Sequence, residues 1–273
     1  MGYNKMRNIN RFLAIPYVLW MIIFIIIPVI LLCYFSLLDQ QGHFSLVNYK
    51  QFLTWTYMQM LWSSIVYAAI ITLLCLLISY PAAYWIRQSA HASTWLVIMI
   101  VPTWMNLLLK TYAFIGLLSH DGIINRILSV FQVPTQDILF TVPAFIIVAV
   151  YIYIPFMLLP LYNSMKDIPQ PLILAAQDLG ANKFTVIRKV VIPLTLEGIK
   201  TGIQVTFIPA LSLFMITRLI AGNKVINIGT AIEEQFLVIQ NYGMGSTIAL
   251  FLVLFMAVIL IFTRTKNKGG LMR

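Results

Sequence analysis

Charge is scarce in this sequence. Of its 273 residues only 8 are Asp or Glu and 18 are Lys or Arg, so that 10% of the chain is charged, whereas soluble domains average about 25%. Hydrophobic residues make up 61% of the chain, and the mean hydropathy is +0.91. These values exclude a chain that folds in water and indicate an integral membrane protein.

Cysteine and histidine are also rare, and neither forms a pattern. Cys33 and Cys75 both lie within apolar runs, without the spacing of a metal site or of a disulfide framework. His43, His91 and His120 fall in three different loops. The sequence also lacks an HExxH motif and the GxxxxGKS/T phosphate loop of ATP-hydrolysing proteins. We therefore expect no metal, no cofactor and no catalytic residue in this chain, which disfavours a membrane-embedded enzyme.

Long apolar runs dominate the sequence instead. A helix needs ~20 mostly apolar residues to cross ~30 Å of hydrocarbon, and its backbone groups are then paired within their own segment. We therefore predict an all-α membrane protein that forms a single transmembrane domain over residues 1–273. Its six predicted spans cover about residues 12–35, 61–86, 94–117, 138–162, 202–220 and 246–262.

The distribution of positive charge predicts how these spans are oriented. With the N-terminus inside, 13 of the 18 basic residues fall on the inner side, and cytoplasmic loops are enriched in Lys and Arg. Both termini are therefore expected in the cytoplasm of a bacterial-type inner membrane, and the net charge of +10 needs no nucleic-acid partner. The inner residues are Lys5, Arg7, Arg11, Arg87, Lys166, Lys183, Arg188, Lys189, Lys200, Arg264, Lys266, Lys268 and Arg273.

The longest inner connection, about residues 163–201, has a pattern of its own. Pro171 suits the first turn of a short helix and Gly180 its end. Phe184, Ile187, Val190 and Val191 then form an apolar stripe typical of an interfacial helix, which Pro193 should end. This loop either anchors the bundle at the membrane surface or presents its short helix to the groove of a soluble partner.

Residues 175–194, AAQDLGANKFTVIRKVVIPL, resemble the EAA loop of ABC-importer permeases. The resemblance implies a type I importer (MetI-like) bundle, in which this loop forms a coupling helix that fits a cleft of the ATPase subunit. Leu174 stands where the family usually has Glu, whereas an acidic group remains at Asp178. The positions carried over to the ATPase contact are Ala175, Ala176, Asp178, Gly180 and Ala181.

Longer strings resemble one branch, the spermidine/putrescine permeases of the PotB type. They are VPTWMNLLLKTYAFIGLL, GIINRIL, YIYIPFMLLPLYNSMKDIPQPLILAAQDLGA, IPLTLEGIKTG and NYGMGSTIAL. The resemblance implies alternating access driven by ATP that a partner subunit uses. It also implies four partners: an ABC ATPase dimer, a second homologous permease subunit, an extracytoplasmic polyamine-binding protein and membrane lipid. A permease for another small solute is the alternative, and a stand-alone channel is disfavoured because it needs no coupling helix.

A path for a polycation needs carboxylates and aromatic faces. Asn106, within an apolar run, is expected to form an interhelical or path-lining hydrogen bond, and Lys110 is expected to extend to the headgroups. The family usually has an acidic residue where Arg218 stands, so that either Arg218 pairs with Glu233 or Glu234 at the outer gate or the substrate differs. The candidates are Trp104, Asn106, Asp121, Phe214, Met215, Arg218, Glu233 and Glu234.

Overall fold

A computed structural model describes residues 15–263, apart from the side chains of Asn223 and Phe262. Within this range the regular secondary structure is helical. The only β-bridge among these residues is the isolated antiparallel one between Leu38 and Phe44. The helices are α1 Ile15–Ser36, α2 Val47–Phe52, α3 Trp55–Gln88, α4 Ala92–Trp104, α5 Leu107–Leu118, α6 Ile123–Val130, α7 Val142–Lys166, α8 Gln170–Asp178, α9 Lys183–Val186, α10 Leu196–Ala210, α11 Phe214–Ala221, α12 Ile228–Glu233 and α13 Tyr242–Thr263.

Five described helical segments are long and apolar enough to cross a membrane, and a sixth span results if the bent pair α10–α11 is counted as one. The predicted all-α membrane fold is thereby confirmed. Apart from the third, each predicted span begins and ends within six residues of the corresponding ends of the observed helix. Residues 12–14 of the first predicted span, and seven of the basic residues counted for the orientation, lie outside the described residues.

The third predicted span, residues 94–117, is wrong. α4 ends at Trp104 and α5 begins at Leu107, and the run of membrane-spanning length is Leu107–Val130. Two local features cause the break. Pro102 lies in a 3₁₀ turn that ends at extended Met105, and the Asn106 side chain starts a new helix by accepting a hydrogen bond from Leu108 N at 2.8 Å.

The fifth span starts earlier than predicted and is bent. α10 begins at Leu196, and its axis meets that of α11 at 55°. Pro209 lies in the last turn of α10, where a ring without an N–H weakens the helical hydrogen bonding. The bend therefore falls at residues 211–213. It lies inside the fifth predicted span, which is continuous in the hydropathy of the sequence.

The described residues form two compact units. Unit one comprises residues 15–58 and Ala231–Leu254. Its aromatic core includes Phe52 stacked on Phe251, with ring centroids 4.3 Å apart. Polar bonds join its segments: Asn48 Nδ2 donates to Leu38 O at 2.7 Å, and Thr247 Oγ1 donates to Ser36 O at 3.3 Å. This unit thus combines a stacked aromatic pair with buried side-chain-to-backbone bonds.

Unit one also contains a tight loop around Asp39. One carboxylate oxygen of Asp39 accepts backbone hydrogen bonds from Gln41 and His43, both at 2.9 Å. The hydrogen bond from the His43 N–H is the largest of the effects that lower the pKa of this carboxyl. The loop is therefore held by an ionised side chain that serves its own backbone.

Unit two comprises Gln59–Thr230 and residues 255–263 of the described chain. Its centre is α7, whose buried residues include Val148, Met157 and Leu161, and α10 is the helix that packs most extensively against it. Gly198 and Gly202 make this close approach possible. A Cβ at Gly198 would lie 2.7 Å from Pro160 O, and small residues let helix backbones come together in membranes.

Candidate coupling helix and transport path

The short helix α8 has the beginning that its sequence predicts. It starts at Gln170 after extended Pro169, with Pro171 in the first turn. A proline is tolerated there because the N–H groups of the first turn have no partner within the helix. Nine residues give α8 about two and a half turns.

The end of α8 is a Schellman motif. Gly180 has φ +82°, its N–H donates to Gln177 O at 2.8 Å, and Ala181 N donates to Ala176 O at 3.1 Å. A left-handed residue is needed at this point, and glycine adopts that conformation without a Cβ penalty. The sequence prediction for Gly180 therefore has a direct geometric basis.

One side of α8 is buried and the other is open. Ile173 is 4% exposed and anchors the helix to the protein. The predicted ATPase-contact positions Ala175, Asp178 and Gly180 are exposed, and Ala176 and Ala181 are half-buried. Large apolar side chains are also exposed on α8 and just after it, at Leu172, Leu174 and Leu179. Exposed apolar groups next to a short helix are typical of a docking surface.

Arg87, near the C-terminus of α3, holds the beginning of α8. Its Nη2 donates to Ile168 O at 2.8 Å and contacts Gln170 Oε1 at 3.3 Å. Ile168 lies between α7 and α8, so that one guanidinium ties α3 to the α7–α8 junction. Sequence reasoning counted Arg87 only as an inner positive charge, because no local pattern signals a partner 81 residues away.

The segment after α8 departs from the predicted stripe. Asn182 caps α9 by accepting a hydrogen bond from Thr185 N at 2.8 Å. A π-helical turn follows at Ile187–Val191, before Pro193 in the short helix Ile192–Leu194. Because a π turn has a longer repeat than an α turn, the buried residues are Val186 and Val191, five positions apart.

The Phe184 side chain is 70% exposed, which is compatible with contact to lipid, and its place at the membrane interface stays a prediction. The chain also remains helical through Pro193, and the break comes at Thr195 before α10 begins at Leu196. Between the end of α8 and α9 lies a cavity of about 480 Å³ lined by residues that include Ala176, Gly180 and Ala181. Three of the predicted coupling positions thus border one depression.

The structure gives Asn106 and Lys110 roles that differ from those expected. The Asn106 side chain caps α5, its own helix, and forms no interhelical bond among the described contacts. Lys110 is 8% exposed and is buried in the protein rather than extended to the headgroups. Its position one turn into α5 directs the side chain inward, since α5 packs against α6, α7 and α11.

The remaining path candidates lie on several different elements. Trp104 is 80% exposed at the end of α4, and the Asp121 carboxylate lies 3.4 Å from His120 Nδ1 with its side chain 97% exposed. Phe214, Met215 and Arg218 belong to α11, after the bend. Glu233 and Glu234 belong to unit one, so their pairing with Arg218 stays a prediction.

A buried polar cluster follows α11, and the sequence analysis did not predict it. Asn227 Nδ2 donates to Thr217 Oγ1 at 2.7 Å, and Asn227 Oδ1 accepts from Thr230 N at 2.8 Å. Ser64 of α3 accepts a hydrogen bond from Ile228 N at 2.7 Å. These bonds fix the segment between α11 and α12 to α3, and the isolated polar residues in the sequence gave no signal of it.

Comparisons with known proteins place this fold in a family. The spermidine/putrescine transport system permease protein PotB of Escherichia coli (strain K12) is 35% identical over 253 residues, which cover 89% of this chain and 92% of the relative. The protein of the same description from Haemophilus influenzae is 33% identical over 260 residues, 91% of each chain. The chain belongs to the PotB family of permease proteins.

More distant PotB relatives and solved structures agree with this assignment. A PotB homologue of Mycoplasma genitalium is 30% identical over 86% of this chain and 82% of its own. A crystal structure of a bacterial alginate ABC transporter matches with a TM-score of 0.82 and 17% identity. The match covers 95% of this chain and 93% of the other. The MetNI methionine ABC transporter matches with a TM-score of 0.56 and 17% identity. That match covers 77% of this chain and 96% of the other. These structures confirm the ABC-permease fold. No family model matches the chain.

Proposed function

We propose that this PotB-family chain is a permease subunit of an ATP-driven ABC importer for linear polyamines such as spermidine and putrescine. The observation that carries the proposal is the identity of 33–35% with PotB proteins over about nine tenths of both chains. The helix α8 supports it, since a short helix with an exposed face and a glycine-ended turn suits docking to a soluble motor.

The importer mechanism assigns α8 to force transfer. The ATPase dimer, not this chain, binds and hydrolyses ATP, and its closure moves the surface that holds Ala175, Asp178 and Gly180. Arg87 joins the start of α8 to α3, and Ile168 joins it to α7. A displacement of α8 is therefore transmitted to two spanning helices, which suits a rigid-body movement of the bundle.

The assembly is completed by other chains. We assign α8 and both termini to the cytoplasm, because most basic residues lie on that side. A second permease subunit pairs with this one, and an extracytoplasmic binding protein delivers the polyamine to the opposite mouth. Candidate groups for the path in this chain are Trp104, Asp121, Phe214, Met215, Glu233 and Glu234.

A different small solute is the second candidate. It is favoured by Arg218, a cation on α11 after the bend, which repels a polycation unless a carboxylate offsets its charge. An anionic or zwitterionic solute is compatible with Arg218 without that requirement. Acidic groups of the second permease subunit would favour a polyamine, because they would offset the charge of Arg218 in a shared path.

Uptake by the reconstituted complex tests the proposal. Vesicles contain this chain, the second permease subunit and the ATPase, with ATP inside and the binding protein outside. We expect uptake of labelled spermidine that stops without ATP and that excess putrescine competes away. ATP-driven complexes that show no polyamine competition would contradict the substrate and leave the permease class, whereas uptake independent of ATP would contradict the importer itself.

A further inference from the structure

A second cavity lies beside the coupling helix, at the opposite side from its exposed face. Its volume is about 310 Å³, and it opens where the C-terminal turn of α3 meets α8 and the start of α9. All of its lining residues belong to unit two. They include Trp85, Arg87, Gln88, Gln177 and Lys183.

The lining is cationic and rich in donors. Arg87 and Lys183 carry two positive charges, and no carboxylate lines the cavity. Within residues 15–263, no carboxylate lies within 4.0 Å of either side chain. The bonds that Arg87 forms use Nη2, so that its other N–H groups remain available, and the amides of Gln88 and Gln177 can donate as well. This set of groups suits a phosphate oxygen.

The cavity also lies at the depth of the lipid headgroups. α3 has 34 residues and is therefore about 51 Å long, whereas the hydrocarbon layer measures about 30 Å. The helix is therefore too long to lie wholly within the hydrocarbon, and the charged Arg87 in its last turn indicates that this end extends beyond it. Trp85 of this turn packs edge-to-face with Trp95 of α4, at a centroid distance of 5.0 Å, and both rings are exposed, at 54% and 39%. Exposed tryptophans mark the membrane interface.

We propose that the cavity at the α3–α8–α9 junction binds the headgroup phosphate of an anionic phospholipid. The phosphate lies between Arg87 and Lys183, and the acyl chains pass along the exposed Trp85–Trp95 pair into the bilayer. Basic pockets at the ends of membrane helices bind anionic headgroups in this manner. The adjacent tryptophan pair favours a lipid over an acidic residue of the ATPase, because a soluble partner has no use for an exposed apolar flank at that depth.

Lipid retention by the full-length chain tests this site without any transport assay. The purified protein in a neutral detergent is titrated with phosphatidylglycerol or with phosphatidylcholine, and bound lipid is counted by native mass spectrometry. The variant Lys183→Gln removes one cation of the cavity. Arg188→Gln is the matched control, since Arg188 is exposed on the same segment but does not line the cavity.

We expect the native chain and Arg188→Gln to retain phosphatidylglycerol in preference to phosphatidylcholine. Lys183→Gln should bind phosphatidylglycerol roughly fivefold less tightly than the native chain does. Equal retention by both variants overturns the proposal, whether or not Lys183→Gln weakens capture of the ATPase. Displacement of the lipid by inorganic phosphate at an equal concentration overturns the lipid as the source of the anion.

Tryptophan fluorescence gives a second measurement on folded protein. Vesicles that contain brominated phosphatidylglycerol should quench the native chain more than the variant Trp85→Phe, because the lipid lies against Trp85. Brominated phosphatidylcholine at the same fraction should give a smaller difference between the two proteins, because it reaches Trp85 only from the bulk bilayer. Identical quenching differences for the two lipids would count against a site that recognises the anionic headgroup.

Discussion

Nη2 of Arg87 lies 2.8 Å from the carbonyl oxygen of Ile168, although the two residues are 81 positions apart in the chain. The carbonyl belongs to the turn between the spanning helix α7 and the coupling helix α8, where no helical N–H is available to it. A charged donor thus satisfies a backbone group at the α7–α8 junction, through which we propose that α8 acts on the membrane helices. Such bonds are stronger than neutral ones.

Replacement of Arg87 should uncouple the motor before it unfolds the protein. In Arg87→Ala the Ile168 carbonyl loses its donor, and the stability should fall by only about 1 kcal/mol because the site is half-exposed to water. ATP hydrolysis by the complex should continue while polyamine uptake falls severalfold. Both are measured in phosphatidylcholine vesicles, so that anionic headgroups do not contribute. Arg188→Ala, with both activities unchanged, is the control, and a parallel loss of both activities in Arg87→Ala would contradict the positioning role.

Position 180 should accept a larger side chain but not one that is branched at Cβ. A Cβ placed there meets no atom within 4 Å, yet φ is +82°. The left-handed conformation costs an ordinary L residue about 1–2 kcal/mol, whereas Asn adopts it more readily. We expect Gly180→Val to reduce ATP-driven uptake strongly and Gly180→Asn to retain most of it, with equal membrane insertion by immunoblot. If the two variants behaved alike, the end of α8 would not depend on its backbone conformation.

Local signals explain which parts of this site could be predicted from the sequence. Pro171 and Gly180 act on their own turns, and both hold the positions expected of them. The break at Asn106 was missed because hydropathy averages over the residues that cause it. The π turn at Ile187–Val191 was missed because it changes the helical repeat, and the apolar pattern alone contains no sign of it. Arg87 and Ser64 were missed because their partners are distant in sequence.

The contact between α7 and α10 should distinguish two neighbouring glycines. A Cβ at Gly198 would lie 2.7 Å from the backbone oxygen of Pro160, which cannot move aside, whereas a Cβ at Gly202 would meet the flexible end of Met157 at 2.6 Å. We expect Gly198→Ala to lower the unfolding temperature in detergent by several degrees, at a cost of about 1–3 kcal/mol. Gly202→Ala should cost less than half as much. The reverse order would contradict the packing of these helices.

The Asp39 loop should lose its stabilisation only in acid. The bonds from the Gln41 and His43 N–H groups lower the pKa of the Asp39 carboxyl below its ordinary value of about 3.9. A lowered pKa means that the contribution is complete above that value and is lost as the pH falls through the folded pKa. Amide exchange of residues 38–44 should thus have the same protection from pH 8 to 5, after correction for the intrinsic rate. Asp39→Ala should lose protection throughout this range, and unchanged protection would contradict the role of the carboxylate.

Asn227 should be the most sensitive polar residue of unit two. Its amide is 2% exposed and bonds Thr217 Oγ1 and Thr230 N, so that Asn227→Ala leaves buried groups without partners at about 1–3 kcal/mol. Asn227→Asp keeps the acceptor for Thr230 but replaces the donor to Thr217 with a buried charge, and it should be at least as damaging at pH 7. Thr230→Ala, at a half-buried position, serves as the milder comparison. The unfolding temperature in detergent measures all three, and because the cluster fixes the segment after α11, stability and uptake should fall together. Full stability of Asn227→Ala would show that this segment is held by other contacts.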